Sequence, residues 1–102
     1  MIVIINKGKV EVRKENGSLA NFISCSSGDV VSANINNDNS LVVITTSKGK
    51  VELRKVTGQF AGGIMCNGDA LDAKFSGDDI VIRTSKGKTE IRGKNGNLKR
   101  II

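Results

Sequence analysis

One heptapeptide recurs along the chain. Lys7-Gly8-Lys9-Val10-Glu11-Val12-Arg13 returns as Lys48-Gly49-Lys50-Val51-Glu52-Leu53-Arg54 and again as Lys86-Gly87-Lys88-Thr89-Glu90-Ile91-Arg92, the copies starting 41 and 38 residues apart. A second landmark keeps the same step: Ile23-Ser24-Cys25 ahead of Gly28-Asp29 matches Ile64-Met65-Cys66 ahead of Gly68-Asp69, with the cysteines 41 residues apart. A period near 40 belongs to arrays of supersecondary units, each too small to bury its apolar face alone. The spacing divides a single β-repeat domain, residues 1–102, into units at 1–27, 28–67 and 68–102.

Within a unit the apolar runs are short, rich in β-branched residues and bounded by Gly, Asn, Asp and Ser, which is the pattern of strands. The second unit reads as strands at Val30 to Ile35, Leu41 to Thr46, Lys50 to Lys55 and Phe60 to Met65. The third repeats them at Ala70 to Phe75, Ile80 to Thr84, Lys88 to Arg92 and Leu98 to Ile102. The first is one strand short, with Ile2 to Ile5, Val10 to Arg13 and Leu19 to Ile23. Gly and Asn accept positive φ in tight turns at little steric cost, so the strands are expected to run antiparallel in hairpins. The fold class is all-β.

This succession, a strand of small and apolar residues, an Asn/Asp/Gly turn, a fully apolar strand, a Ser-Lys-Gly turn and then the alternating Val51-Glu52-Leu53-Arg54-Lys55, resembles the WD-repeat type of β-propeller blade. The likeness is one of blade pattern. The turn Asp of that family is replaced by Lys48 or Lys86, its Trp by Arg13, Arg54 or Arg92, and the Asp that follows by Lys14, Lys55 or Gly93, so no functional residue is carried over. The resemblance implies about 2.75 antiparallel four-stranded blades per chain, and propellers close with about four to eight. One copy cannot close a ring, and a homodimer with about six blades, two of them lacking a strand, is the expected solution. A β-solenoid with recurring Gly-rich turns is the rival architecture.

Composition excludes most chemistry. The chain has no His, so it has no imidazole base and no Ser-His-Asp or Cys-His site. Cys25 and Cys66 are too few for a four-thiolate zinc site, so neither a metal nor a cofactor is expected. The opening residues Met1-Ile2-Val3-Ile4-Ile5-Asn6 carry no basic leader and too short an apolar run to span a bilayer, which predicts a cytoplasmic protein with free thiols and no membrane partner.

Charge supplies the candidate site. Net charge is +6, and Lys7, Lys9, Lys48, Lys50, Lys86 and Lys88 recur at one turn of successive units. They are expected on one face of the ring, with Gly between them leaving backbone amides open to an anion and Asp29 and Asp69 partly cancelling the field. Solvated turn lysines that keep strand edges apart are the competing account of the same residues. Glu11 and Arg13, Glu52 and Arg54, and Glu90 and Arg92 share a strand face and suggest a ladder of ion pairs across adjacent blades. The repetition of Cys25 and Cys66 points to packing, and Asp38, Asp78 and Asp79 to solvated turns. Phe22, Phe60 and Phe75 read as core, which leaves nucleic acid only non-specific attraction to charge.

The expected function is a non-catalytic binding or scaffold module, not an enzyme, presenting its lysines to an acidic protein or nucleic acid. A self-assembling β-repeat protein and an enzyme with a central pocket are the alternatives.

Overall fold

The turn residues cut the chain as the spacing predicts. In the computed structural model, which describes residues 1–25, 28–66 and 68–102, eleven strands follow one another: β1 Ile2–Asn6, β2 Lys9–Arg13, β3 Leu19–Ile23, β4 Val30–Ile35, β5 Leu41–Thr46, β6 Val51–Lys55, β7 Phe60–Ile64, β8 Ala70–Ser76, β9 Asp79–Thr84, β10 Thr89–Gly93 and β11 Leu98–Ile101. They form three antiparallel sheets in chain order, β1-β2-β3, β4-β5-β6-β7 and β8-β9-β10-β11. Lys50 and Lys88 fall just outside β6 and β10, and Met65 and Ile102 just beyond β7 and β11. The unit boundaries expected after residues 27 and 67 lie outside the described residues. No helix among the described residues is long and apolar enough to cross a membrane.

Register identifies the strand that the first sheet lacks. Glu11 lies opposite Ile4, as Glu52 lies opposite Ile44 and Glu90 opposite Ile82, so β1 is the counterpart of β5 and β9. The missing strand is therefore the one that β4 and β8 supply elsewhere. The first hairpin is also one residue tighter, with Asn6 paired to Lys9 across Lys7-Gly8, whereas Ser47-Lys48-Gly49 fills the same turn in the second sheet. Lys7 and Gly8 both have positive φ, 53° and 76°, the combination that matches a two-residue turn to the twist of its strands.

The sheets stack, and the two cores lie between them. Val10, Val12 and Ile23 of the first sheet meet Val30, Val42 and Ile44 of the second. Val43, Val51, Leu53 and Ile64 on its other face meet Ala70, Ala73, Ile80 and Ile82 of the third. β5 is apolar without alternation because its sheet is covered on both faces. Val42, Val43 and Ile44 are each 0% exposed, and burial of such side chains contributes about 1.5–3 kcal/mol apiece. β4 packs on β1, and β8 packs on β4 and β5, so the first strand of each later sheet forms the joint with the sheet before it.

The phenylalanines correct the sequence reading. Phe75 is partly buried against the second core, but Phe22 and Phe60 are exposed. They sit on β3 and β7, at the far edge of their sheets, beyond the reach of the next sheet. Lys9 Nζ lies 5.7 Å from the Phe22 ring centre and the Arg54 guanidinium 5.4 Å from that of Phe60, so the rings meet cations in place of core.

Candidate functional site: the lysine turns

The hairpins β1–β2, β5–β6 and β9–β10 carry the six lysines, all of them exposed. What brings these turns together is the Gly-Asp pair that leads into each inner strand. The Val30 amide donates to Gly8 O at 2.9 Å and the Ser47 amide to Asp29 O at 2.7 Å, tying the turn of the first sheet to that of the second. The next joint repeats both bonds, Ala70 to Gly49 O at 3.0 Å and Ser85 to Asp69 O at 2.8 Å. The Asp29 side chain thereby lies over Gly8 and that of Asp69 over Gly49, while Gly28 and Gly68 lie against the stems of Lys48 and Lys86. Lys7, Lys9, Lys48, Lys50, Lys86 and Lys88 thus lie at the same end of successive sheets, with Asp29 and Asp69 set between neighbouring turns.

The glycine amides are less available than their sequence context suggests. Gly49 N–H donates to Thr46 O at 3.0 Å and Gly87 N–H to Thr84 O at 3.1 Å. A three-residue loop closes on itself with this bond, so an anion at these turns meets ammonium groups and not those two amides.

The Glu and Arg residues of the repeat pair along their own strand, where an inter-blade ladder was expected. Arg13 Nε donates to Glu11 at 2.9 Å, Arg54 Nη2 to Glu52 at 2.9 Å and Arg92 Nε to Glu90 at 2.8 Å. Residues two apart on a strand face the same way, and the arginine then has a second nitrogen free to reach outward. It donates to Gly17 O at 2.6 Å, Gly58 O at 3.0 Å and Gly96 O at 2.8 Å, clamping the following hairpin in each sheet. These groups shape the blade. The Asn6 amide, at 3.0 Å, holds the Glu11 carboxyl below its ordinary value, with Arg13 adding to the effect.

Side chains also reach from sheet to sheet: Asn21 donates to Val56 O at 2.9 Å and Asn34 to Ala73 O at 2.8 Å, and the cysteines lie at the same joints. Cys25 packs on the first core and Cys66 on the second, and both thiols are free. Burial pushes the Cys25 thiol up to about 11, helped by the Glu52 carboxylate of the next sheet; burial and Glu90 raise Cys66 likewise. Protonated, half-buried thiols are poor nucleophiles, which fits the packing role. At the other end of the sheets, Asp38 accepts from the Ser40 hydroxyl, Asp79 meets Lys99 at 2.6 Å and Asp78 meets Lys94 at 3.5 Å.

No protein-family model and no curated protein matches the chain. Its fold is matched by solved structures. BamB from Moraxella catarrhalis is 21% identical with a TM-score of 0.79 over 100% of this chain and 32% of that one. The WD40 domain of Neurospora crassa Pan2 is 16% identical with a TM-score of 0.76 over 98% of this chain and 32% of that one. Saccharomyces cerevisiae Sqt1 is 17% identical with a TM-score of 0.75 over 94% of this chain and 29% of that one. The chain spans about a third of the length of each of these structures. Three antiparallel sheets of three, four and four strands, stacked through their first strands, form a partial β-propeller of the WD-repeat-like kind.

Proposed function

We propose that this protein is a non-catalytic interaction module whose lysine turns dock an acidic protein surface. The observation that carries the reading is the recurrence of six exposed lysines at three equivalent hairpins, at the same end of each sheet, with Asp29 and Asp69 set among them. Such a cluster raises the local concentration of an acidic partner and speeds encounter, with strong dependence on salt. The solved WD40 domain of similar fold is in keeping with a scaffold role.

The test compares two charge-neutralised variants for retention of poly-glutamate across a salt series. Changing Lys48, Lys50, Lys86 and Lys88 to Gln is expected to abolish most salt-sensitive binding, whereas changing Lys14, Lys55 and Lys94, at the opposite turns, leaves it nearly unchanged. Equal loss in both variants would refute a specific face. Preferential retention of single-stranded DNA over poly-glutamate would replace the protein partner with nucleic acid.

The homodimeric ring belongs to the same proposal. Two copies would supply six sheets, with an inner strand missing from two of them. Solution mass measured by light scattering tests it, since a stable dimer supports the closed ring and a folded monomer removes it.

A further inference from the structure

The outer strands β3, β7 and β11 keep a common register, and one position on them differs in kind. Opposite the glutamate of each repeat stands Phe22 on β3, Gly63 on β7 and Ile101 on β11, paired with Glu11, Glu52 and Glu90. The second sheet alone has no side chain at that place.

In the first sheet the Phe22 ring occupies it, and Lys9 Nζ stands 5.7 Å from the ring centre. A cation at that distance is attracted by the negative face of the ring. Lys50 is the counterpart of Lys9, since each precedes the Val-Glu pair of its repeat, and it meets no ring among the described residues.

Where the ring is missing, a cavity of about 290 Å³ opens at Gly63, lined by the apolar Val51, Phe60, Ile64 and Met65 and by Lys50 and Glu52. A ring the size of benzene fits an apolar space of about 150 Å³, so the cavity has room for one aromatic side chain. Phe60 forms a wall of it: the ring Cζ lies 3.8 Å from where a Gly63 Cβ would stand, and the Arg54 guanidinium holds that ring at 5.4 Å. Phe60 and Met65 remain 57% and 81% exposed, which leaves apolar surface around the cavity for a partner to cover.

We infer that this cavity is the socket for one aromatic side chain of an acidic protein partner, seated against Gly63 with the Lys50 ammonium over its face. The inference rests on the reading of the lysine turns as the place where an acidic surface docks, and it adds the apolar anchor that charge alone does not supply. Lys48 and Lys50 belong to the turn that leads into β6, so carboxylates on either side of the aromatic residue meet ammonium groups as the ring enters. A few aromatic anchors seated in pockets carry most of the affinity of a protein interface. The first and third sheets fill the equivalent position with Phe22 and Ile101 of this chain, so the socket belongs to the second sheet.

The probe is an acetylated heptapeptide with Trp at its centre and three Asp or Glu residues on either side; its control replaces the Trp by Ala. The chain contains neither Trp nor Tyr, so indole fluorescence reports the peptide alone. At low salt the Trp peptide is expected to bind about tenfold more tightly than the Ala peptide, with its emission moved to shorter wavelength. Gly63→Phe, which installs in the second sheet the ring that the first already has, is expected to abolish that difference and keep the affinity for the Ala peptide. Equal affinity of the unaltered protein for the two peptides would overturn the socket and leave the lysine turns standing. Binding of neither would remove the acidic partner, and the socket with it. A Trp preference that survives in Gly63→Phe would place the ring elsewhere and also overturn the inference. The comparison of the two peptides uses the unaltered protein, so the result does not depend on how well the variant folds.

Discussion

Replacing Gly49 and Gly87 by alanine, one at a time, separates backbone strain from the steric cost of forcing a joint apart. Both glycines adopt nearly the same conformation, with φ of +76° and +75°. Each alanine therefore carries the same left-handed penalty, about 1–2 kcal/mol. They differ in what the new methyl meets. A Cβ on Gly49 would lie 2.6 Å from Asp69 Cβ and 2.8 Å from its Cγ and Oδ1, whereas on Gly87 it would meet nothing within 4 Å. Asp69 cannot simply swing aside, because its carbonyl accepts from Ser85 N–H at 2.8 Å and the next amide donates to Gly49 O at 3.0 Å. The methyl must push the entry to β8 away from the second sheet, an overpacking cost of about 1–3 kcal/mol more. Gly87→Ala is thus expected to lower stability by about 1–2 kcal/mol, and Gly49→Ala by about 2–5 kcal/mol. Urea unfolding of the two variants under identical conditions reads the difference as a shift in midpoint at similar slope. Equal losses would show that Asp69 does not occupy the seat over Gly49, and the account of how the sheets are joined would fail with it.

Three further perturbations test single contacts. The Thr45 hydroxyl is buried with no hydrogen-bond partner among the described residues, so Thr45→Val, which keeps the shape, is expected to raise stability by about 1 kcal/mol, read as a higher melting temperature. Lys7 holds φ 53° without the freedom of glycine; Lys7→Asn, better suited to the left-handed region, is expected to stabilise the first hairpin by about 0.5–1 kcal/mol, and an unchanged urea midpoint would contradict it. Cys25 should make stability fall in alkali: its thiol ordinarily titrates at 9.0 and in the fold at about 11, so above pH 9 the unfolded chain loses a proton that the folded one keeps, and the loss accrues up to about pH 11. Cys25→Ala is expected to flatten that part of the pH profile, and an identical alkaline slope in the variant would refute the shift.

Local signals made much of this protein legible before any tertiary contact was known. Strand existence followed from short β-branched runs between turn residues, and all eleven appear with ends displaced by a residue or so. The repeat spacing placed the six lysines at equivalent hairpins, because a hairpin is fixed by a handful of neighbouring residues. Other assignments went astray where the partner lies far along the chain. Phe22 and Phe60 have the composition of core, but their strands lie at the outer edge of a sheet, a position set by pairing order. Gly49 and Gly87 differ in kind, since their amides are consumed locally, by carbonyls only three residues back at Thr46 and Thr84.

The sequence by itself determined the strands, the turns and the period, since φ preferences and two-residue alternation act over a few residues. Only the tertiary structure decided what each face of a strand meets. Alternation separates Val42 and Ile44 from Val43, yet nothing local says that one side meets the first sheet and the other the third. The same holds for the gap. Counting showed the first unit to be a strand short; the pairing of Glu11 with Ile4 identified the absent strand as the one that forms the joint between sheets, which leaves β1 open at its edge. Burial is a property of neighbours brought together by folding, and those neighbours lie about a repeat length apart in the chain.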